Sequence, residues 1–86
     1  MEEPTGRQIK AARALLGWSK AELGRMADVS VTTIARLEGK AGRIGGRLST
    51  ATKLVVTLKT AGIEFVNVNE KAVGVLLVRE STEIDS

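Results

Sequence analysis

Hydrophobic residues recur every three to four positions along the first 62 residues, the spacing of one face of an α-helix. A capping box of Thr5 with Gln8 predicts the start of a first helix, and Gly17 predicts its end. Ser19 with Glu22 forms a second capping box, which precedes a shorter apolar stripe. The two stripes consist of Ile9, Ala12, Leu15 and Leu16, followed by Leu23, Met26 and Ala27.

Two further helices are predicted in the middle of the chain. Ser30 is expected to cap a third helix that reaches Leu37 or Glu38 before Gly39 ends it, and Ser49 is expected to cap a fourth. The segment GKAGRIGGR between them is basic and rich in glycine, so it is predicted to be a flexible loop. The pattern thus indicates a four-helix unit over residues 1–62.

The hydrophobic period changes after residue 62. The short, β-branched segments IEFVNV and AVGVLLV are separated by NEKA, which predicts a β-hairpin. In the second segment both faces are apolar, and a lone hairpin with two apolar faces is unstable in water. We therefore expect it to join two copies of the chain, with a hairpin folded wholly onto its own domain as the alternative. The residues concerned are Val73, Val75 and Leu77 on one face, and Leu76 and Val78 on the other.

Charge divides the chain at the same place. Residues 1–62 carry eleven basic and five acidic residues, whereas residues 63–86 carry two basic and five acidic ones. This balance favours a polyanion-binding domain followed by a separate hairpin and acidic tail. The predicted fold class is mainly α. We expect the helices to fold without the hairpin, because they carry apolar stripes of their own.

Composition excludes several classes of function. The 86 residues contain no cysteine and no histidine, so disulfides, thiolate chemistry and the commonest metal ligands are absent. The glycine-rich loop lacks the Lys-Ser/Thr ending of a phosphate-binding loop. We expect no enzymatic activity, no cofactor and no metal. No apolar run approaches the length of a bilayer span, and the polar start MEEPTGR does not resemble a signal peptide. The expected location is the cytoplasm.

The third helix begins unusually, with Val31, Thr32 and Thr33. Three β-branched residues in a row are a poor start for a helix, because each loses rotamer freedom against the preceding turn. The short connection from Asp28 to Ser30 forces a sharp angle between the second and third helices and leaves the third helix projecting. This geometry is that of a helix-turn-helix.

The segment IKAARALLGWSKAELGRMADVSVTTIARLEGK resembles the Cro and phage-repressor type of helix-turn-helix, the XRE family. The resemblance extends from about Gly6 to Gly62 and implies a repressor-like DNA-binding domain. It is carried by spaced positions in all three helices: Ile9, Arg13, Gly17, Ser19, Glu22, Leu23, Val29, Ser30, Ile34 and Glu38.

The resemblance implies that the first turn of the third helix enters the major groove of DNA. Val31, Thr32 and Arg36 would then face bases, with Val31 packed in the core as the alternative. A valine or threonine methyl group suits the thymine methyl, and an arginine can bind guanine O6 and N7 as a fork. Implied contacts to backbone phosphates are Lys20, Ser30, Thr33, Lys40, Arg43 and Arg47.

Other positions are expected to hold the unit together. The resemblance places Arg13 and Glu38 where the family often has a partly buried ion pair, with two surface charges as the alternative. Gly24 stands where the family usually has alanine, and Asp28 stands at the glycine of the turn. We expect a positive φ at Asp28, because aspartate tolerates that conformation better than most residues.

We expect a homodimeric transcriptional regulator, a repressor that binds a two-fold operator in double-stranded DNA. One alternative is an antitoxin whose residues 63–86 bind a toxin protein. Another is a protein-interaction module that has lost DNA binding, which would show no salt-sensitive affinity for DNA. The scarcity of aromatic residues, with Trp18 and Phe65 alone, argues against a single-stranded nucleic acid partner.

Overall fold

The structure, a computed structural model, describes residues 3–40, 42–44, 48–69 and 72–78. Within them, four helices are followed by an antiparallel two-stranded hairpin, which confirms the predicted fold class. The elements are α1 (Gly6–Leu16), α2 (Lys20–Ala27), α3 (Val31–Glu38), α4 (Leu48–Thr60), β1 (Ile63–Asn69) and β2 (Ala72–Leu77).

The predicted helix starts are largely confirmed by side-chain caps. Both capping boxes form. The side-chain oxygens of Thr5 and Ser19 each accept the backbone N–H three residues on, and the glutamine or glutamate side chain at that position accepts the backbone N–H of the cap residue. Ser30 caps α3 through the N–H of Thr33. The prediction for α4 is wrong by two positions, since a cap at Ser49 implies a start at Thr50, whereas the helix already includes Leu48 and Ser49 lies inside its first turn.

The helices enclose one apolar core, which is buried to at least 96% at every member. Its members are Ile9, Ala12, Leu23, Ala27, Ile34, Leu37, Ile44, Ala51, Leu54, Leu58 and Ile63. Two residues of the predicted stripes are instead exposed: Leu15 by 46% and Met26 by 57%. Each fully buried Leu or Ile contributes about 1.5–3 kcal/mol relative to an exposed one, so this cluster is the main source of stability.

Residues 42–44 of the basic loop are bound to the rest of the domain. Ile44, in the middle of the loop, is fully buried in the core. The loop pairs with the start of the chain at Gly42 and at Ile44 itself: Gly6 N–H donates to the Gly42 carbonyl at 3.2 Å, and Ile44 N–H donates to the Pro4 carbonyl at 3.0 Å. The prediction of a flexible loop is therefore wrong for residues 42–44.

The hairpin closes the core, so the packing crosses the boundary predicted at residue 62. Ile63 is fully enclosed, and Phe65, Val75 and Leu77 pack against the helices. The Gln8 side-chain amide of α1 donates to the carbonyls of Val66 and Gly74, at 3.2 and 2.8 Å. The prediction that the side chains of Val75 and Leu77 join two subunits is consequently wrong, because these side chains line the inner face that covers the chain's own core.

The outer face of the hairpin is not covered by any of the residues that the structure describes. Leu76 and Val78 remain exposed by 53% and 51%. Val73, at the turn end of the inner face, is also exposed. Among the five residues expected to join two copies, these three are therefore the accessible ones.

Candidate nucleic-acid interface

A three-residue connection sets the angle between α2 and α3. Asp28 has φ 60° and ψ 49°, so the expected positive φ is confirmed. This left-handed residue turns the chain back, and the next N–H, that of Val29, donates to the Gly24 carbonyl at 3.0 Å. A Cβ at Gly24 would lie 2.6 Å from the Val29 carbonyl oxygen, so glycine at this position makes room for the turn.

Arg13 and Glu38 form a two-pronged ion pair between α1 and the end of α3. Arg13 Nε and Nη2 donate to the two carboxylate oxygens at 2.8 and 2.9 Å, and Nη1 donates to the Trp18 carbonyl at 2.9 Å. The side chains are only 14% and 4% exposed. The hydrogen bonds that the Arg13 guanidinium donates to Glu38 raise the pKa of Arg13, while burial acts in the opposite direction. This fork geometry fixes α3 against α1.

Gly6 holds the opposite end of α1 against the same helix. A Cβ there would overlap the carbonyl oxygen of Leu37 in the last turn of α3. The absence of a side chain at Gly6 therefore lets the start of α1 pack directly on the backbone at the end of α3. Two separate contacts, one at Gly6 and one at Arg13, join these helices.

With its inner side fixed, α3 presents a continuous outer stripe to solvent. Ile34, Leu37 and Glu38 face inward. Val31 is exposed by 46%, so it does not pack in the core. The exposed stripe, which we call the recognition stripe, consists of Val31, Thr32, Ala35 and Arg36. Sequence reasoning did not assign Ala35, although it lies one helical turn from Val31 and Thr32.

The hydroxyl groups at the start of α3 bind each other. Ser30 Oγ accepts the N–H of Thr33 at 3.1 Å and donates its own hydrogen to Thr33 Oγ1 at 2.9 Å. The Ser30 hydroxyl is thus occupied within the cap. Thr33 Oγ1 acts as an acceptor in this pair, so its own hydrogen can still be donated to a phosphate.

The basic residues assigned to phosphate differ in their surroundings. Lys20 is exposed at the first position of α2, where the helix dipole adds to its positive charge. Lys40 Nζ donates to the Ile44 carbonyl at 3.2 Å, and Arg43 Nη1 donates to the Glu3 carbonyl at 2.5 Å, so both also brace the loop. Arg47 lies outside the described residues.

Comparison with known proteins identifies the same part of the chain. Residues 9–39, from α1 to the end of α3, match the family model described as helix-turn-helix. The resemblance to an XRE-type helix-turn-helix is thereby confirmed over this segment. No curated protein matches the chain.

Two further features are absent from the described parts of the chain. No helix there is both long and apolar enough to cross a membrane. The acidic side chains there form no group that could hold a metal ion.

Proposed function

We propose that the chain is a repressor that binds a two-fold operator as a homodimer. The helix-turn-helix of residues 9–39 supports a DNA-binding regulator of transcription. The recognition stripe carries this proposal. It is exposed along its length and combines methyl groups with a guanidinium, and the Arg13–Glu38 pair attaches the opposite side of α3 to α1.

Each part of the stripe suits a different feature of the major groove. The methyl groups of Val31 and Thr32 match thymine methyls, and Arg36, four residues after Thr32, can bind guanine through O6 and N7. The small side chain of Ala35 lets the helix axis approach the base edges closely. Lys20 and the Thr33 hydroxyl are assigned to the flanking phosphates, which fix the position of α3 on the duplex.

The proposed regulator acts by occupancy and carries out no chemistry. A homodimer on a two-fold operator places its two α3 helices about 34 Å apart, one turn of DNA, on the same side of the duplex. A dimer bound to an operator that overlaps a promoter would then exclude RNA polymerase.

Selection of bound DNA from a random pool tests the proposal. We expect recovery of a two-fold-related motif whose half-sites are separated by about one helical turn. Recovery of a single unrepeated motif would contradict the homodimer. Recovery of no motif, together with the absence of salt-sensitive binding to any duplex, would contradict DNA reading altogether.

Arg36→Ala is expected to relax base preference at one position in each half-site, at a cost of about 1–3 kcal/mol. The reason is the loss of a two-pronged contact to guanine. Arg36→Lys is the matched control, because it keeps the charge and removes the fork. Competition binding against operator variants measures both. If both variants kept the wild-type preference at every position, Arg36 would not read a base.

Lys20→Ala is expected to weaken binding equally for all sequences. Loss of one phosphate contact should reduce the slope of log affinity against log salt by roughly one unit. Lys10→Ala, which removes an exposed charge from α1 outside the turn, serves as the control. A salt titration in which Lys20→Ala keeps the wild-type slope would remove this residue from the interface.

A second candidate function keeps the DNA-binding unit and assigns residues 63–86 to a toxin protein, which the chain would neutralise. The exposed apolar side chains of Leu76 and Val78 on the hairpin favour a protein partner of some kind. A neighbouring reading frame for a small toxin, whose product forms a complex with this chain on coexpression, would support this candidate over the simple repressor.

A further inference from the structure

We infer that β2 pairs edge to edge with β2 of a second copy, about a two-fold axis at Val75. The two hairpins would then form one four-stranded antiparallel sheet. This inference rests on the homodimer of the proposed function and specifies which atoms join its subunits. It follows from the hydrogen-bond phase of the hairpin, from the second edge of β2, with which no strand of the described residues pairs, and from the shape of its outer face.

The hydrogen-bond phase shows which backbone groups reach the free edge of β2. Val78 N–H donates to the Gly62 carbonyl at 2.7 Å, so these two residues form a hydrogen-bonded pair. Because hydrogen-bonded and non-hydrogen-bonded pairs alternate in an antiparallel ladder, the pairs Ile63–Leu77 and Phe65–Val75 are of the second kind. The N–H and C=O groups of Val73, Val75 and Leu77 therefore point away from β1, toward the free edge of β2.

The two edges of the hairpin differ in how they are protected. β1 carries Glu64 on its outer face and an irregularity in pairing between Asn67 and Asn69, and charges and bulges are devices that discourage strand addition. β2 reads AVGVLL from Ala72 to Leu77, with no charge, no proline and no bulge inside it. An edge of this kind is suited to pairing with another strand.

A two-fold axis at Val75 uses this edge most completely. It pairs Val75 with Val75 of the second copy and Val73 with Leu77 of the second copy, so all the outward backbone groups of β2 are bonded. The same register brings no two charges together along the strand. Axes at Gly74 or Leu76 would leave some of these groups unpaired, and they are the competing registers.

The outer face of β2 is complementary to itself in this register. Leu76, exposed by 53%, lies directly beside Gly74 of the second copy, where a Cβ would meet open space. Around Gly74 lies a shallow apolar depression of about 230 Å³. Each Leu76 would cover part of the depression of the other copy. The depression is lined by residues that include Val66, Val68, Ala72 and Leu76.

A second copy is favoured over an unrelated strand by symmetry. A two-fold contact must bring identical surfaces together, and the knob at Leu76 and the gap at Gly74 occur two residues apart on one strand. A hairpin of two strands is marginal by itself, and extension to four strands increases its stability. A dimer joined in this way also supplies the two α3 helices that a two-fold operator requires.

Disulfide trapping tests the register, since the chain has no cysteine of its own. In the proposed pairing, positions 74 and 76 of opposite copies form a non-hydrogen-bonded pair with Cα atoms about 4.5 Å apart, which is within disulfide range. We expect a mixture of Gly74→Cys and Leu76→Cys chains to form a covalent dimer under mild oxidation, with neither variant doing so alone. Trapping of one variant alone would overturn the Val75 axis, and trapping in no sample would overturn edge pairing.

A proline substitution at the edge provides a second test, which does not depend on forming a new disulfide bond. In the hydrogen-bond phase derived above, the Val73 N–H points away from β1, so Val73→Pro removes an edge donor and leaves the ladder of the hairpin in place. We expect this variant to raise the dimer dissociation constant at least tenfold in sedimentation, whereas Val73→Ala changes it little. Leu76→Lys separates the alternative of outer faces stacked on each other. If Leu76→Lys abolished the dimer and Val73→Pro did not, edge pairing would be wrong.

The outcomes also separate this inference from the proposed function. Binding of one chain to a half-operator tests the recognition stripe alone, and we expect Val73→Pro to keep it within about twofold while losing the added affinity for a full operator. A wild-type chain that dimerises on the full operator, but neither forms the disulfide between positions 74 and 76 nor responds to Val73→Pro, would overturn the inference only. A wild-type chain that binds a half-operator and stays monomeric on the full operator would overturn both the inference and the homodimer, and would leave DNA reading by the recognition stripe intact. A wild-type chain that dimerises but binds no DNA would contradict the proposed function instead.

Discussion

Arg13→Ala is expected to lower the free energy of unfolding by about 3 kcal/mol, because breaking a buried ion pair leaves the partner charge uncompensated. The Glu38 side chain is only 4% exposed, and it would lose both of its short bonds to the guanidinium. The Trp18 carbonyl would lose its bond from the same side chain. Chemical denaturation, followed by the fluorescence of Trp18, measures the change.

The double variant Arg13→Met with Glu38→Leu is the control for this prediction. It removes both charges and keeps apolar volume, so we expect it to recover most of the lost stability. If Arg13→Ala cost no more than the ~0.5 kcal/mol typical of surface substitutions, the pair would be unimportant for stability. Where Arg13→Ala still folds, operator affinity should also fall, because α3 loses one of its two attachments to α1.

Local features of the fold could be predicted from the sequence because their causes lie within a few residues. Both capping boxes depend on a side chain and a backbone N–H three positions apart, and both form. The left-handed turn at Asp28 likewise follows from the short connection between α2 and α3. A cap at Ser49 predicts the start of α4 two residues late, since serine can cap a helix or lie in its first turn.

Contacts between distant segments could not be predicted in this way. The hydrogen bonds from Gln8 to the hairpin join residues 58 and 66 positions apart, and no sequence pattern near Gln8 indicates them. The glycines around Ile44 dominate the local pattern and predict a flexible loop, yet the Ile44 side chain is fully buried in the core. Leu15 and Met26 illustrate the converse, because helical spacing shows which side of a helix is apolar but not how far neighbouring elements cover it.

The features of the site separate in the same way: those with local causes could be predicted from the sequence, and those that join distant segments could not. The β-branched start of α3 and the exposed position of Arg36 follow from helical periodicity. The pairing of Arg13 with Glu38, 25 residues away, came from family resemblance alone. The bonds that Lys40 and Arg43 make within the chain depend on the path of the loop, which the sequence pattern does not specify.

The largest effect is expected from ending the chain after Gly62, which should abolish cooperative folding. This reverses the expectation from the sequence, because the structure places Ile63 in the core at 2% exposure and packs the inner face of the hairpin on the helices. Ile63, Phe65, Val75 and Leu77 together represent about 5 kcal/mol or more of apolar burial. Small domains are stable by only about 5–15 kcal/mol in total. Thermal unfolding followed by circular dichroism measures the result.

Two variants of the full-length chain distinguish loss of the core from loss of the dimer. Phe65→Ala removes packing on the inner face and should lower the melting temperature, whereas Val68→Ala removes an outer side chain that is 71% exposed and should leave it nearly unchanged. Val73→Pro should dissociate the dimer while the monomer keeps its helices. If the chain ending at Gly62 instead melted cooperatively near the full-length temperature, the four helices would form a sufficient core by themselves. The contacts of Gln8 with the hairpin would then serve to attach the hairpin rather than to complete the fold.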